Sequence, residues 1–517
     1  PTMRWFLAVL LVTCISAEMA CPVYPETVPL DERALEELRP AFEEVDRLLK
    51  NGSRELPGLI ATVIYDQDII WTGEYGKQNA SDPSSPPPSL DSVVRIASIT
   101  KVFTDLMLLK LRDEGKVDTE DAVSQYLPEF SVKNPYGTRR PITLGQLAAH
   151  TSGLTRESPQ GRDQATILRN AAEQYLVLPP NAKFHYSNFG IALLGRALQG
   201  PAKSTYESFV ETEILRPLNM TLSGFELTRS IRDHMAVGFN TDGTPAPVDT
   251  LGWDAPCGGM LASARDMARA MALFNRLNDK AGGQQVVDGT TLREAMNPRV
   301  LLADGTGAVG SPWEDAYSST ARMWYKSKAG ELPGTSTTLT PYCPPPPLSV
   351  GFRSETSMAP PLKLGVFVSA FQSEILQGDP TQSAFTRPVL DILAPAMQAL
   401  LQRRAVPPPL PKDVSDFTGT YGPDAQLLHV SLDASRTELK VELMGQSATL
   451  LPLVDRSSGN AVTVDAVYRV VLDGQQDTSC RWLDDGGDNE LMYFYRTSPG
   501  QPATKVVYMQ ATYGRRS

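Results

Sequence analysis

Histidine and cysteine are scarce in this chain. Its 517 residues include 4 His and 5 Cys, and no two cysteines form a Cys-x-x-Cys pair. A zinc centre draws three or four such ligands together, so a metal site is not expected, and no other cofactor is expected. Positive charge is also in deficit. The formal net charge of -11 argues against nucleic acid as a main partner. A Gly-x-Ser-x-Gly elbow is missing, which argues against an α/β-hydrolase. Long apolar runs are missing as well. The one candidate, residues 5–13 (WFLAVLLVT), is too short to cross a bilayer comfortably, so no stable membrane insertion is expected.

That short run instead reads as the core of a secretory signal. Arg4 precedes it and small residues follow, with a cut expected after Ala17. The competing reading is an uncleaved anchor. Export agrees with sequons at Asn51, Asn79 and Asn219, so a secreted glycoprotein is expected. Four cysteines, Cys21, Cys257, Cys343 and Cys480, then remain either to pair in an oxidising compartment or to stay as buried thiols.

The length implies two or three domains. The spacing predicts a helix over residues 31–50 and two strands over 59–76 that turn at 66–68. Helices are predicted over 141–154, 163–175, 192–198, 206–214 and 263–275, the last with Ser263 as N-cap. A helix or turn is expected near 120–128. Strands return at 321–327 and 363–371, separated by a proline-rich insert at 341–361, and a helix over 385–403 follows. The early strands are expected to join the late ones in one sheet. The stiff linker AVPPPLP, residues 405–411, then marks a boundary. Beyond it, residues 412–517 alternate at period two and read as a small antiparallel sandwich or barrel. The acidic run 484–490 fits a solvated turn better than a calcium loop. The expected division is a signal at 1–17, a main domain at 18–404, the linker, and the C-terminal β domain.

Ser98-Ile-Thr-Lys101 opens an apolar helical pattern. A lysine one turn after a serine can reach its hydroxyl and help activate it. Ser-x-x-Lys arises by chance about once or twice in a chain of this length, so its partners matter. Tyr186-Ser-Asn188 offers a phenol and an amide. A phenol beside an ammonium can shift toward phenolate and take the serine proton. Lys328-Ala-Gly330, read as following a strand, offers a cation and a residue that lets substrate approach the backbone. The backbone N–H groups of Ser98 and Glu331 could then form an oxyanion hole. His150 in HTSGL reads as structural rather than catalytic, and His185 is ambiguous.

In this order the three motifs resemble the serine β-lactamase and penicillin-binding-protein superfamily, in particular its class C-like branch. Connecting text such as RIASITKVF, ITLGQLAAHTSGL and GGMLASARDMA carries the same resemblance, which covers residues 55–400 and comes nearest to animal β-lactamase-like proteins. The resemblance implies an α/β (α+β) fold: an antiparallel sheet flanked by helices, with an all-helical subdomain and the site between them. The C-terminal domain resembles the lipocalin-like β modules found after this fold. The resemblance also implies that Ser98 is the acylated nucleophile and that Lys101 and Tyr186 share the general-base work. Asn188, Lys328 and Gly330 would bind the substrate, a small molecule or peptide with an ester or amide bond. Which of Lys101 and Tyr186 takes the proton stays open.

Two features depart from the pattern. Glu331 places an acid where the oxyanion would form, and the insert at 341–361 follows directly. An inward Glu331 would oppose anionic substrates. Two functions therefore stand side by side: a serine hydrolase, and a weak or silent binding module that keeps the fold. The oligomeric state is not fixed by the sequence.

Overall fold

A computed structural model describes residues 28–516, except 138–139, 241, 249, 277–284, 303–304, 306, 334–348, 373–383, 405–408, 425, 444, 456–461 and 473–489. The expected signal, Cys21, Cys343, Cys480 and most of the acidic run lie outside the described residues. Cys257 is described as a buried free thiol. The chain divides into two compact units, residues 24–405 and residues 406–517.

The first unit is built on an eight-stranded antiparallel sheet. In chain order its strands are β1 (Gly58–Tyr65), β2 (Asp68–Gly76), β5 (Val300–Leu301), β6 (Gly307–Val309), β7 (Glu314–Ser318), β8 (Met323–Pro333), β9 (Ser349–Ala359) and β10 (Leu364–Ala370). The numbers β3 (Val93–Arg95) and β4 (Leu261–Ser263) belong to a separate two-stranded ladder. The spatial order is β2-β1-β10-β9-β8-β7-β6-β5, so the N-terminal hairpin does join the late strands through β1 and β10.

Strand β1 is buried along its whole length because both faces are covered. Side chains alternate across a strand. Leu59, Ala61 and Val63 therefore pack with the helices Glu32–Gly52 and Thr386–Arg404 on one face. Ile60 and Ile64 face the second core, which contains the helix Thr100–Asp113. That helix is buried on nearly every side. Its apolar residues fill the core around it, and it carries Lys101 and Asp105 into the interior with them.

Three differences from the sequence reading concern the site. Strand β8 runs to Pro333, so Lys328-Ala-Gly330 lies within a strand rather than after one. The proline-rich insert is shorter than its sequence suggested, because residues 349–359 are strand β9, paired from Ala359 back to Arg353 with β10. Polar side chains hid that strand: Ser354, Glu355, Thr356 and Ser357 are all buried. The expected helix over 141–154 is only Leu144–Ala148, opened by a Thr143–Gln146 capping box. It stops because His150 and Gly153 take positive φ, 56° and 76°.

Glu355 ties the sheet to the helix Thr386–Arg404. Its carboxylate accepts from the backbone N–H of Ala384, Phe385 and Thr386 at 3.1, 3.0 and 3.2 Å, and from Arg353 Nε at 2.9 Å. A carboxylate at a helix N-terminus satisfies orphan donors and meets the positive end of the dipole.

The second unit is a single eight-stranded antiparallel sheet: β11 (Gly419–Tyr421), β12 (Leu428–Leu432), β13 (Leu439–Leu443), β14 (Gln446–Asp455), β15 (Val462–Leu472), β16 (Leu491–Tyr495), β17 (Lys505–Tyr508) and β18 (Ala511–Gly514). A bridge from Tyr421 to Arg515, with Gly422 N donating to Gly514 O at 2.8 Å, brings the first and last strands together. Of sandwich and barrel, the structure is a nearly closed barrel, which removes exposed edges.

Replacing Glu355 with Ala leaves three helix donors and Arg353 short of a buried partner. The Glu355→Ala variant is expected to lose about 3–5 kcal/mol of stability, as for other broken buried pairs. Chemical denaturation with full-length protein checks this; an unchanged midpoint would contradict the role given to Glu355.

Candidate active site

The site begins where β3 ends. The chain passes from Arg95 into a 3₁₀ turn, Ala97–Ile99, and then into the helix Thr100–Asp113. Ala97 has φ of 47°, a left-handed conformation that costs a non-glycine residue about 1–3 kcal/mol. This bend lifts Ser98 out of the wall: its neighbours are buried and Ser98 itself is half-buried.

Strand β8 presses on the same turn. A Cβ on Gly330 would lie 2.0 Å from Ile96 O and 3.0 Å from Ser98 N. Both atoms are backbone, so no side-chain shift could make room. Gly330 is thus required for strand and turn to touch, and it sets the Ser98 N–H beside the backbone that continues into Glu331. The Glu331 side chain is 44% exposed and its carboxylate lies 3.9 Å from Arg353. The acid does not fill the site, contrary to the inward placement considered from sequence.

Lys101 is wholly buried. Its Nζ lies 2.9 Å from Ser98 Oγ and donates to Asn188 Oδ1 at 2.8 Å and to the Cys257 carbonyl at 2.5 Å. The last two partners can only accept, which commits two N–H bonds and aims the remaining position at Ser98. Burying a charged amine costs several kcal/mol without such partners. Neighbouring hydroxyls fix the frame: Thr104 donates to Pro256 O at 2.7 Å, and Thr100 accepts from Met260 N at 3.1 Å.

Tyr186 completes the group, with Oη 2.8 Å from Ser98 Oγ. It precedes a helix, Asn188–Ala197, longer at its start than the sequence suggested. Ser187 is the reason: its hydroxyl accepts from Gly190 N at 2.8 Å as N-cap and donates to Thr155 O at 2.6 Å. Two adjacent roles follow from one cap. Tyr186 sits just before the helix, and Asn188 is held in its first turn.

Burial pushes the Tyr186 phenol up, but Lys101 and Lys328 outweigh it and hold the group below the ordinary phenol value. Lys101 Nζ, Lys328 Nζ and Arg156 Cζ lie 5.0, 5.1 and 4.9 Å from the ring centroid. His150 stacks on the ring at 4.5 Å with an interplanar angle of 24°. Burial first, then Lys101 and Lys328, drives the His150 pKa well below normal. It is a neutral ring whose Nδ1 accepts from Ser187 N at 3.0 Å, so its bonding is structural, as the sequence suggested.

The structure therefore brings Ser98, Lys101, Tyr186 and Asn188 into one hydrogen-bonded cluster, with Lys328 beside the ring and Gly330 against the turn. It adds two acids that sequence reasoning missed. Glu157 accepts from Asn188 Nδ2 at 3.1 and 3.0 Å, which sets the amide so that Oδ1 faces Lys101. Glu314, on β7, accepts from Lys328 at 2.5 Å. Neither lies in a recognisable motif. Among the described residues no cluster of three or more His, Cys, Asp or Glu is placed to hold a metal ion.

A hydroxyl held between an amine and a phenol suits acyl transfer. A beta-lactamase family model matches residues 43–341. The chain belongs to the beta-lactamase family. Beta-lactamase-like protein 2 of Dictyostelium discoideum is 34% identical over 95% of this chain and 90% of its own length. A Homo sapiens beta-lactamase-like 1 protein is 31% identical over 78% of this chain and 77% of its own. The octameric penicillin-binding protein homologue from Pyrococcus abyssi superposes with a TM-score of 0.53 at 17% identity, covering 91% of this chain and 99% of that one. This last likeness shows the fold of the beta-lactamase-family chain.

Adding a methyl group at Gly330 must part β8 from the Ser98 turn. The Gly330→Ala variant is expected to lose about 1–3 kcal/mol of stability, the cost of overpacking a tight contact. Chemical denaturation of the full-length protein checks this. A wild-type midpoint in Gly330→Ala would contradict the close contact.

Proposed function

We propose that this chain is a serine hydrolase that cleaves an ester or amide bond through an acyl-enzyme on Ser98. The observation that carries the reading is the position of Ser98 Oγ, 2.9 Å from Lys101 Nζ and 2.8 Å from Tyr186 Oη. Membership of a family whose members are usually serine hydrolases supports it.

In the proposed cycle, Tyr186 as phenolate accepts the Ser98 proton while Ser98 Oγ attacks the carbonyl carbon. Lys101 donates to Ser98 Oγ and stabilises the charge on both partners. The developing oxyanion is held by the N–H groups of Ser98 and Glu331. Tyr186 then returns the proton to the leaving alcohol or amine as the bond to carbon breaks. Water attacks the Ser98 ester in the second half, with Tyr186 taking and returning a proton again. The lowered phenol pKa favours Tyr186 over Lys101 as the acceptor. The short apolar run near the N-terminus and the sequons support export as the setting for this reaction.

A base must be deprotonated to act, so activity is lost as pH falls through its pKa. The acid limb of kcat/KM is therefore expected below the ordinary phenol value, and Tyr186→Phe should abolish both the limb and most of the rate. A wild-type acid limb that persists unchanged in Tyr186→Phe would contradict the assignment. For the nucleophile, a fluorophosphonate probe should label the wild type and leave Ser98→Ala unlabelled. Equal labelling of the two proteins would refute Ser98, and a folded wild type inert to several acylating probes would favour a silent binding module.

A further inference from the structure

The resemblance gives Lys328 to substrate binding, yet its ammonium already holds a carboxylate of the protein. Lys328 lies on β8 with its side chain 2% exposed, and Glu314 on the neighbouring β7 meets it at 2.5 Å. The contact is diagonal: Glu314 stands opposite Ser327 in the ladder and reaches across to the next residue. Glu314 is 21% exposed, so the pair sits at the edge of solvent with the lysine on the inner side, near the Tyr186 ring.

Two other cations near Ser98 also lie beside acids. Arg156, over the Tyr186 ring, lies 3.3 Å from Glu157 in a pair exposed to solvent on both sides. Arg353, opposite Glu331 in the β8–β9 ladder, meets Glu355 at 2.9 Å and Glu331 at 3.9 Å. Lys101 spends its donors on Asn188 and the Cys257 carbonyl. A substrate carboxylate seeking Lys328 meets the Glu314 carboxylate already paired with it, and must either share the ammonium with that like charge or displace it. Removing one member of a buried pair is costly, and a like charge alongside adds to the cost. An uncharged acyl group disturbs none of these pairs.

We propose that Glu314 is a specificity-determining residue: by holding Lys328 it makes the Ser98 site select uncharged ester or amide substrates over those with a carboxylate on the acyl group. This inference rests on the hydrolase reading above.

The test compares p-nitrophenyl butyrate with p-nitrophenyl hemisuccinate, which differ mainly in a terminal carboxylate. Wild-type kcat/KM is expected to favour the neutral ester by about tenfold or more, the scale of one well-placed charge contact. In Glu314→Gln, Lys328 loses its carboxylate, so the ratio should fall by at least about tenfold, through KM for the hemisuccinate. A purely structural role for Glu314 would slow both esters alike and leave the ratio in place. Equal or better use of the hemisuccinate by the wild type, or an unchanged ratio in a folded Glu314→Gln protein, would overturn the proposal. If neither ester is turned over, the hydrolase reading has failed on its own account. Calorimetric binding of the two esters to Ser98→Ala then still decides charge selection: tighter binding of the neutral ester upholds it, and equal or tighter binding of the anionic one overturns it.

Discussion

The buried Lys101 side chain is the constraint on which the rest of the site depends. An amine with no exposure must have acceptors on hand, and two of them, Asn188 Oδ1 and the Cys257 carbonyl, come from distant parts of the chain. Satisfying it draws the helix that follows Ser98, the helix that begins at Asn188 and the segment around Cys257 to one point. Once that is done, its remaining direction falls on Ser98. The cost of burial and the aim of the amine are thus one fact seen from two sides.

Tyr186 depends on the same charge. Burial alone would hold its phenol in the protonated form, and the two lysines reverse this. Around that pair the protein arranges support of several kinds: a stacked neutral His150, a Ser187 cap, and Glu157 orienting the Asn188 amide. On the opposite wall Gly330 lets a strand meet the Ser98 turn backbone to backbone. Strain at Ala97 is tolerated because both sides of the turn are fixed, by the β3–β4 ladder and by β8.

The sequence made much of this legible, for reasons that differ from part to part. Ser98 and Lys101 could be paired because helical spacing puts them on one side of a turn. The joining of β1 to β10 was readable because both are apolar strands bounded by clear turns. Strand β9 was not, because its buried Ser354, Glu355, Thr356 and Ser357 look like a polar loop until the ladder and helix partners of each are known. The three small strands β5, β6 and β7 were missed because two or three residues of strand leave no periodic trace, and even five in β7 leave little. Glu314 was missed with them. Its meaning lies in a diagonal contact across two strands, which no local pattern encodes. The linkage of Tyr186 to Ser98 came through order and family resemblance, and the 2.8 Å distance gives it a physical basis.

The central claim is that Ser98 carries the acyl group during turnover. Rapid acid quench of the full-length protein during hydrolysis of p-nitrophenyl butyrate, followed by peptide mass spectrometry, tests it most directly. The account predicts one butyryl group on the peptide that contains Ser98, located on Ser98 itself, and its accumulation in a variant slowed in the second half-reaction. Turnover of the ester with Ser98 unmodified throughout, or with the acyl group on another residue, would contradict it.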